Sequence, residues 1–131
     1  MDEQGKALPA ATRDGLLAMV GTAGLKRAAV DIPDWGMTVH IRELSGAAFD
    51  QFVETFNRLG GEKAKSPARI RAVITVASAV DSAEPDAGRM FEDKDLETVL
   101  GLPPSGLKLI ADAAIELNGM SDEAAAAVGK D

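Results

Sequence analysis

No cysteine occurs in the 131 residues, which excludes disulfides, zinc–thiolate centres and a cysteine nucleophile and fits a reducing compartment. Tyrosine is absent too, and aromatic residues make up only 4% of the chain, with one tryptophan and four phenylalanines. The core must therefore be built from Ala, Val, Leu and Ile, which favours close-packed helices over a sandwich of sheets. Basic runs are missing: 14 Lys and Arg face 21 Asp and Glu, for a formal charge of −7. That balance gives no footprint for a phosphate backbone, so nucleic acid is not an expected partner. No stretch approaches the roughly 20 apolar residues of a membrane span. The start MDEQGKALPA lacks the basic-then-apolar order of a signal peptide, so a soluble cytoplasmic protein with no membrane partner is expected. With 46% apolar residues, the length suits one domain with a real core.

The chain is organised around Asp31 to Gly46, DIPDWGMTVHIRELSG. Met37, Val39 and Ile41 alternate with Thr38, His40 and Arg42, and Ala28, Val30 and Ile32 alternate before them, so two strands each present one apolar face. Pro33 presets a turn, Asp34 is placed for an Asx-type bond and Gly36 tolerates positive φ, so PDWG joins them as a hairpin. Upstream, residues 1–11 read as a flexible arm, and Thr12 caps a short helix over Arg13 to Val20 that Gly21 and Gly24 stop. Downstream, Ser45 caps a helix whose Phe49, Phe52, Val53, Phe56 and Leu59 form one stripe; with so few large side chains available, that stripe is expected to cover the hairpin as core, the alternative being a docking groove. Ser66 and Pro67 open the next helix, with Ile70, Val73, Ile74, Ala77 and Val80 on one face and Arg71, Thr75 and Ser78 on the other. The β-branched content keeps a strand open for Ile70 to Val80, because Ile70, Ala72, Ile74 and Val76 also alternate. DSAEPDAGR, from Asp81 to Arg89, is an acidic loop, after which Met90 and Phe91 return to the core. Asp93 caps a short helix ending at Gly101, and LPPSG is a rigid connector to a last long helix closed by Asn118-Gly119.

The expected architecture is α+β and mostly helical. An N-terminal hairpin (26–44) packs against a bundle of about four to five helices, including 45–59, 67–80, 93–100 and 104–118. These form a single domain over 12–120, followed by a short C-terminal helix or tail at 121–131. In the last long helix, Leu107, Leu109, Ile110, Ala111, Ala113, Ala114, Ile115 and Leu117 leave only Lys108, Asp112 and Glu116 as a polar stripe. A helix apolar on most of its circumference is either central or covered by a partner.

Catalytic and ligand-binding chemistry finds little support. The sole histidine, His40, has no nucleophile elbow and no second histidine, so it reads as a solvated strand residue near Asp31 or Thr38. The acidic loop fails the order of a calcium loop, because Ala83 and Pro85 stand where oxygen ligands are required. Gly21-Thr22-Ala23-Gly24 lacks the spacing of a phosphate loop. No cofactor or metal is expected, and the chain reads as a non-enzyme. Trp35, at a hairpin tip, either folds back onto a helix or is displayed to a partner.

Two blocks carry a family resemblance. PDWGMTVHIRELSGAAFDQF resembles the opening of the tail assembly chaperones of long-tailed bacteriophages, in which a W/G turn leads into a strand, a REL step and an amphipathic helix. MFEDKDLETVLGLPPSGLKLIADAAIELNGMS resembles their second half: a Phe, an acidic capped short helix, then a long Leu/Ala helix closing on LNG. The ordered pair carries the inference.

The resemblance implies a non-enzymatic protein of the bacterial host cytoplasm, absent from the mature virion. Such a protein binds the tape measure protein, keeps it soluble and helps recruit tail tube subunits. It also implies a possible frameshifted long form, of which this chain would be the short product, and a homo-oligomer is a further possible partner. With the helix pattern, it makes Trp35, Leu107, Ile110, Ala114, Ile115 and Leu117 the expected protein-binding surface, working by helix-in-groove recognition. The alternative is a structural tail-completion or tube-associated virion protein.

Overall fold

Alternating apolar residues on two short segments produce the hairpin at the centre of the fold. The computed structural model describes residues 8–21, 24–59 and 66–119. The first seven residues of the expected arm, the GGEKAK linker and the expected C-terminal helix or tail lie outside them. Strand β1 (Arg27–Ile32) pairs antiparallel with β2 (Met37–Arg42), with Ile32 opposite Met37, Val30 opposite Val39 and Ala28 opposite Ile41. Pro33–Trp35 form a single 3-10 turn, and Gly36 follows in the left-handed region at φ 67°. Its N–H donates to the carbonyls of Ile32 and Pro33, so Gly36 closes the turn in place of the expected Asp34 side chain. Val30, Ile32, Val39 and Ile41 are buried. Met37 departs from this face and is exposed, because it stands at the hairpin tip beyond the helix that covers the rest.

That covering helix is not the phenylalanine helix. Helix α5 (Pro104–Asn118) lies across both strands of the hairpin, and α3 (Pro67–Ser78) packs along α5. Helix α2 (Gly46–Leu59) makes its one extensive element contact with α3. Phe52 and Phe56 reach the core from one side, whereas Phe49 and Val53 are exposed. The expected cap of α2 is present, with Ser45 Oγ accepting from the Ala48 N–H at 3.1 Å.

Helix α3 is the most enclosed element. Ser66 Oγ accepts from the Arg69 N–H at 3.4 Å and Pro67 takes the first helical position, which settles the helix start. The face expected to be polar is inside as well: Arg71, Thr75 and Ser78 are buried. Thr75 Oγ1 donates to the Arg71 carbonyl at 2.9 Å, satisfying its hydroxyl within the helix. The helix stops at Ser78, two residues short of the expectation, and Ala79–Val80 form a third strand, β3. Ile41 pairs with Ala79 and His40 with Val80, giving a sheet of order β1-β2-β3. The strand that competed with the helix in the sequence is thus real for its last two residues.

The rest of the chain fastens onto this centre. The acidic loop after β3 returns to the sheet, as Asp81 N–H donates to the Gly88 carbonyl and Met90 N–H to the Ala79 carbonyl, both at 3.0 Å. The next turn begins at Glu92, whose N–H donates to Asp95 Oδ2 at 2.8 Å, one residue earlier than the expected cap at Asp93. It leads into α4 (Leu96–Leu100). At the N-terminus, α1 (Arg13–Leu17) is capped by Thr12, which accepts from the Gly15 N–H at 3.0 Å. It ends before the expected Val20 and buries no residue; a helix this short has little to hold it without a packed face. The protein is α+β and mostly helical.

Candidate protein-binding surface

Three of the residues expected to face a partner lie in the interior. Leu107 is 2% exposed, Ile110 1% and Ala114 0%, enclosed by the hairpin on one side and α3 on the other. Ile115 and Leu117 are half-buried and pack on the same cluster. The nearly all-round apolar helix is therefore the central layer of this chain, with the hairpin and α3 covering Leu107, Ile110 and Ala114. Its solvent side carries Leu109, which is exposed, beside the Lys108–Asp112 ion pair at 3.2 Å.

Trp35 folds back onto a helix, and that helix is α5 rather than the phenylalanine stripe. Its ring lies directly over Gly106; a Cβ built there collides with Trp35 Cε2 and Cζ2. The indole is half-buried and touches both parts of the core, one around the hairpin and Ile110 and the other around Val76, Val99 and Leu107. Trp35 Nε1 is buried and finds no acceptor among the described residues, a cost rarely left in a native interior.

Surface apolar side chains occur at other places. On α2, Phe49 and Val53 are 40% and 39% exposed, and the Phe49 and Phe52 rings are 5.9 Å apart at a tilt of 48°. No described side chain of this helix is fully buried. Near α1, Leu8, Leu16, Leu17, Met19 and Val20 are exposed. A third place is a cleft of about 460 Å³ beside the hairpin tip, lined by Trp35, Met37, Met90, Phe91, Leu102 and Pro103 among others. Sequence reasoning missed this cleft, since its wall comes from five separate segments: the hairpin tip, Thr75 of α3, Met90-Phe91, Leu102-Pro103 and Ile110 of α5. The available signals are Met37 at the start of β2, Met90 after the acidic loop, and the apolar Leu102-Pro103 within the LPPSG connector.

The polar groups form structural pairs. Thr38 Oγ1 donates to Asp31 Oδ1 at 2.7 Å, so the two residues considered as neighbours for His40 engage each other. Arg89 donates to the Val76 carbonyl and to Asp93, each at 3.0 Å, and Arg42 donates to the Ala87 carbonyl. Among the described residues, no group of three or more His, Asp or Glu side chains is placed to hold a metal ion, and no helix is long and apolar enough to cross a membrane.

No family model matches the sequence, and no curated protein matches it significantly. Among solved structures, the chain is similar to the tail assembly chaperone of bacteriophage HK97, with 28% sequence identity and a TM-score of 0.54. The match covers 77% of this chain and 92% of that one. A likeness that holds in sequence as well as in fold, over nearly the whole of the HK97 protein, supports the tail assembly chaperone family for this chain.

Proposed function

We propose that this protein is a non-catalytic tail assembly chaperone that binds the tape measure protein in the host cytoplasm and helps recruit tail tube subunits. The observation that carries the reading is the match to the HK97 chaperone across 92% of that chain. The surface is in keeping with it. A strongly amphipathic α2 turns Phe49 and Val53 to solvent, which suits docking of an apolar helix stripe. The charge of −7 would keep a coated client dispersed, and several weak contacts along one long client would add through multivalency.

The test is co-expression with the tape measure protein encoded by the same genome. The expected result is a soluble tape measure protein that co-purifies with this chain, and insoluble tape measure protein when the chain is omitted. A tape measure protein equally soluble in both cases and absent from the purified chain would overturn the assignment. Finding the chain as a stoichiometric component of purified virions would favour a structural tail protein instead.

A further inference from the structure

The geometry points to the cleft beside the hairpin tip as the docking site for a basic amphipathic protein segment, which inserts one apolar side chain against Trp35 and sets a lysine or arginine beside Asp34. This rests on the chaperone reading only for the identity of the natural client; the chemistry of the site stands on its own.

Four observations converge here. The cleft, at about 460 Å³, falls within the roughly 300–1,000 Å³ of clefts that hold ligands. Its wall is apolar and its rim is formed by Met37 and Met90, which are 59% and 39% exposed. Unbranched, polarizable methionines at a rim adapt to differing apolar side chains, as a chaperone with many client segments requires. Trp35 forms the inner wall and cannot retreat, because its ring is seated on Gly106 and packed on both parts of the core. A rigid aromatic wall with a plastic rim is the arrangement expected of a binding hot spot.

Charge selects the occupant. Asp34 is the one charged residue lining the cleft, and it carries no described ion pair. The Asp31 carboxylate sits on the neighbouring strand, accepting from Thr38, and no lysine or arginine lines the wall. On a chain of net charge −7, an apolar side chain flanked by a cation is attracted to this position and one flanked by a carboxylate is repelled.

The chain contains its own reporter, since Trp35 is the sole tryptophan and tyrosine is absent. The probes are synthetic peptides of about five helical turns: one with a leucine stripe flanked by lysines, a second with leucine replaced by serine, and a third with lysine replaced by glutamate. Titrated into the full chain, the first is expected to shift the Trp35 emission saturably. The serine and glutamate peptides should bind about tenfold more weakly or worse, the scale of a lost buried Leu or a reversed charge contact. Met37→Lys and Met90→Lys, both at exposed positions, remove an apolar contact and repel the lysine flanks, and should weaken the first peptide to a similar degree while the circular dichroism stays unchanged. Equal binding of all three peptides, or binding with no change in Trp35 emission, overturns the proposal and needs no variant.

Co-purification separates this inference from the chaperone assignment. Tape measure protein retained equally by wild type and by both folded lysine variants rejects the cleft and leaves the chaperone standing. Failure of wild type to retain tape measure protein, with the peptide response intact, rejects the client and leaves the cleft.

Discussion

The backbone N–H of Leu44 donates to Asn118 Oδ1 at 2.8 Å, joining residues 74 positions apart. Asn118 Nδ2 in turn donates to the Ala114 carbonyl at 2.7 Å. The exit of β2 is thereby tied to the last turn of α5, and the REL and LNG strings of the two resembling blocks are physical neighbours. Asn118→Ala leaves the Leu44 N–H without its acceptor, a part-buried donor worth about 1–3 kcal/mol. At about 4 °C per kcal/mol for a domain of this size, the melting temperature should fall by several degrees, and the Leu44 amide should lose hydrogen-exchange protection. An unchanged Leu44 exchange rate would show that the bond contributes nothing.

Gly106 admits the Trp35 ring because it has no side chain. Gly106→Ala gains helix propensity of about 1 kcal/mol but forces an indole into space already filled, an overpacking cost of about 1–3 kcal/mol. The expected outcome is a lower thermal midpoint together with a red shift of the tryptophan emission as the ring lifts toward water. A blue-shifted or unchanged spectrum with raised stability would mean that the ring and helix are not in contact.

Ile110→Asp places a carboxylate where the side chain is 1% exposed. The cost is about 4 kcal/mol or more, set against total stabilities of roughly 5–15 kcal/mol. The variant should lose cooperative unfolding by circular dichroism rather than lose a partner selectively. A folded Ile110→Asp variant would put α5 back among the client-facing surfaces.

Phe49→Asp acts on the opposite kind of position. Phe49 stands 40% exposed on α2, and its removal costs one tilted ring contact with Phe52, about 0.5–1.5 kcal/mol. The chain should stay folded, retain less tape measure protein than wild type, and leave the Trp35 response to the leucine–lysine peptide unchanged. Full retention of tape measure protein would remove the outer face of α2 from the binding surface.

The elements that the sequence made legible are those governed by local rules. The period-2 alternation of the hairpin, the caps at Thr12, Ser45 and Ser66, and the glycines at Gly36 and Gly119 each act over a few residues, and each is found in place. What could not be read was which apolar face meets which. The phenylalanine stripe is the expected cover for the hairpin and the Leu/Ala helix is either central or covered by a partner, and periodicity does not rank the two as partners of the strands. The small residues decide it: Gly106, Ala111 and Ala114 let α5 lie close against the strands and the indole, whereas a helix led by phenylalanines must stand off. Leu107, Ile110 and Ala114 are consumed by long-range packing, and the cleft at Trp35 is assembled from segments that share no local pattern.

The acidic loop between β3 and Arg89 has pinned ends. The bonds from Asp81 to Gly88 and from Met90 to Ala79, with Val80 bridged to Arg89, hold its two stems as a closed ladder. Added residues therefore enlarge a loop that is already shut, and each doubling of its length costs only about 0.6 kcal/mol in closure entropy. The molecule has at this point a tolerance for length that the Trp35 turn, seated on a glycine, does not share. An epitope placed between Ser82 and Asp86 would ride on the fold without entering it.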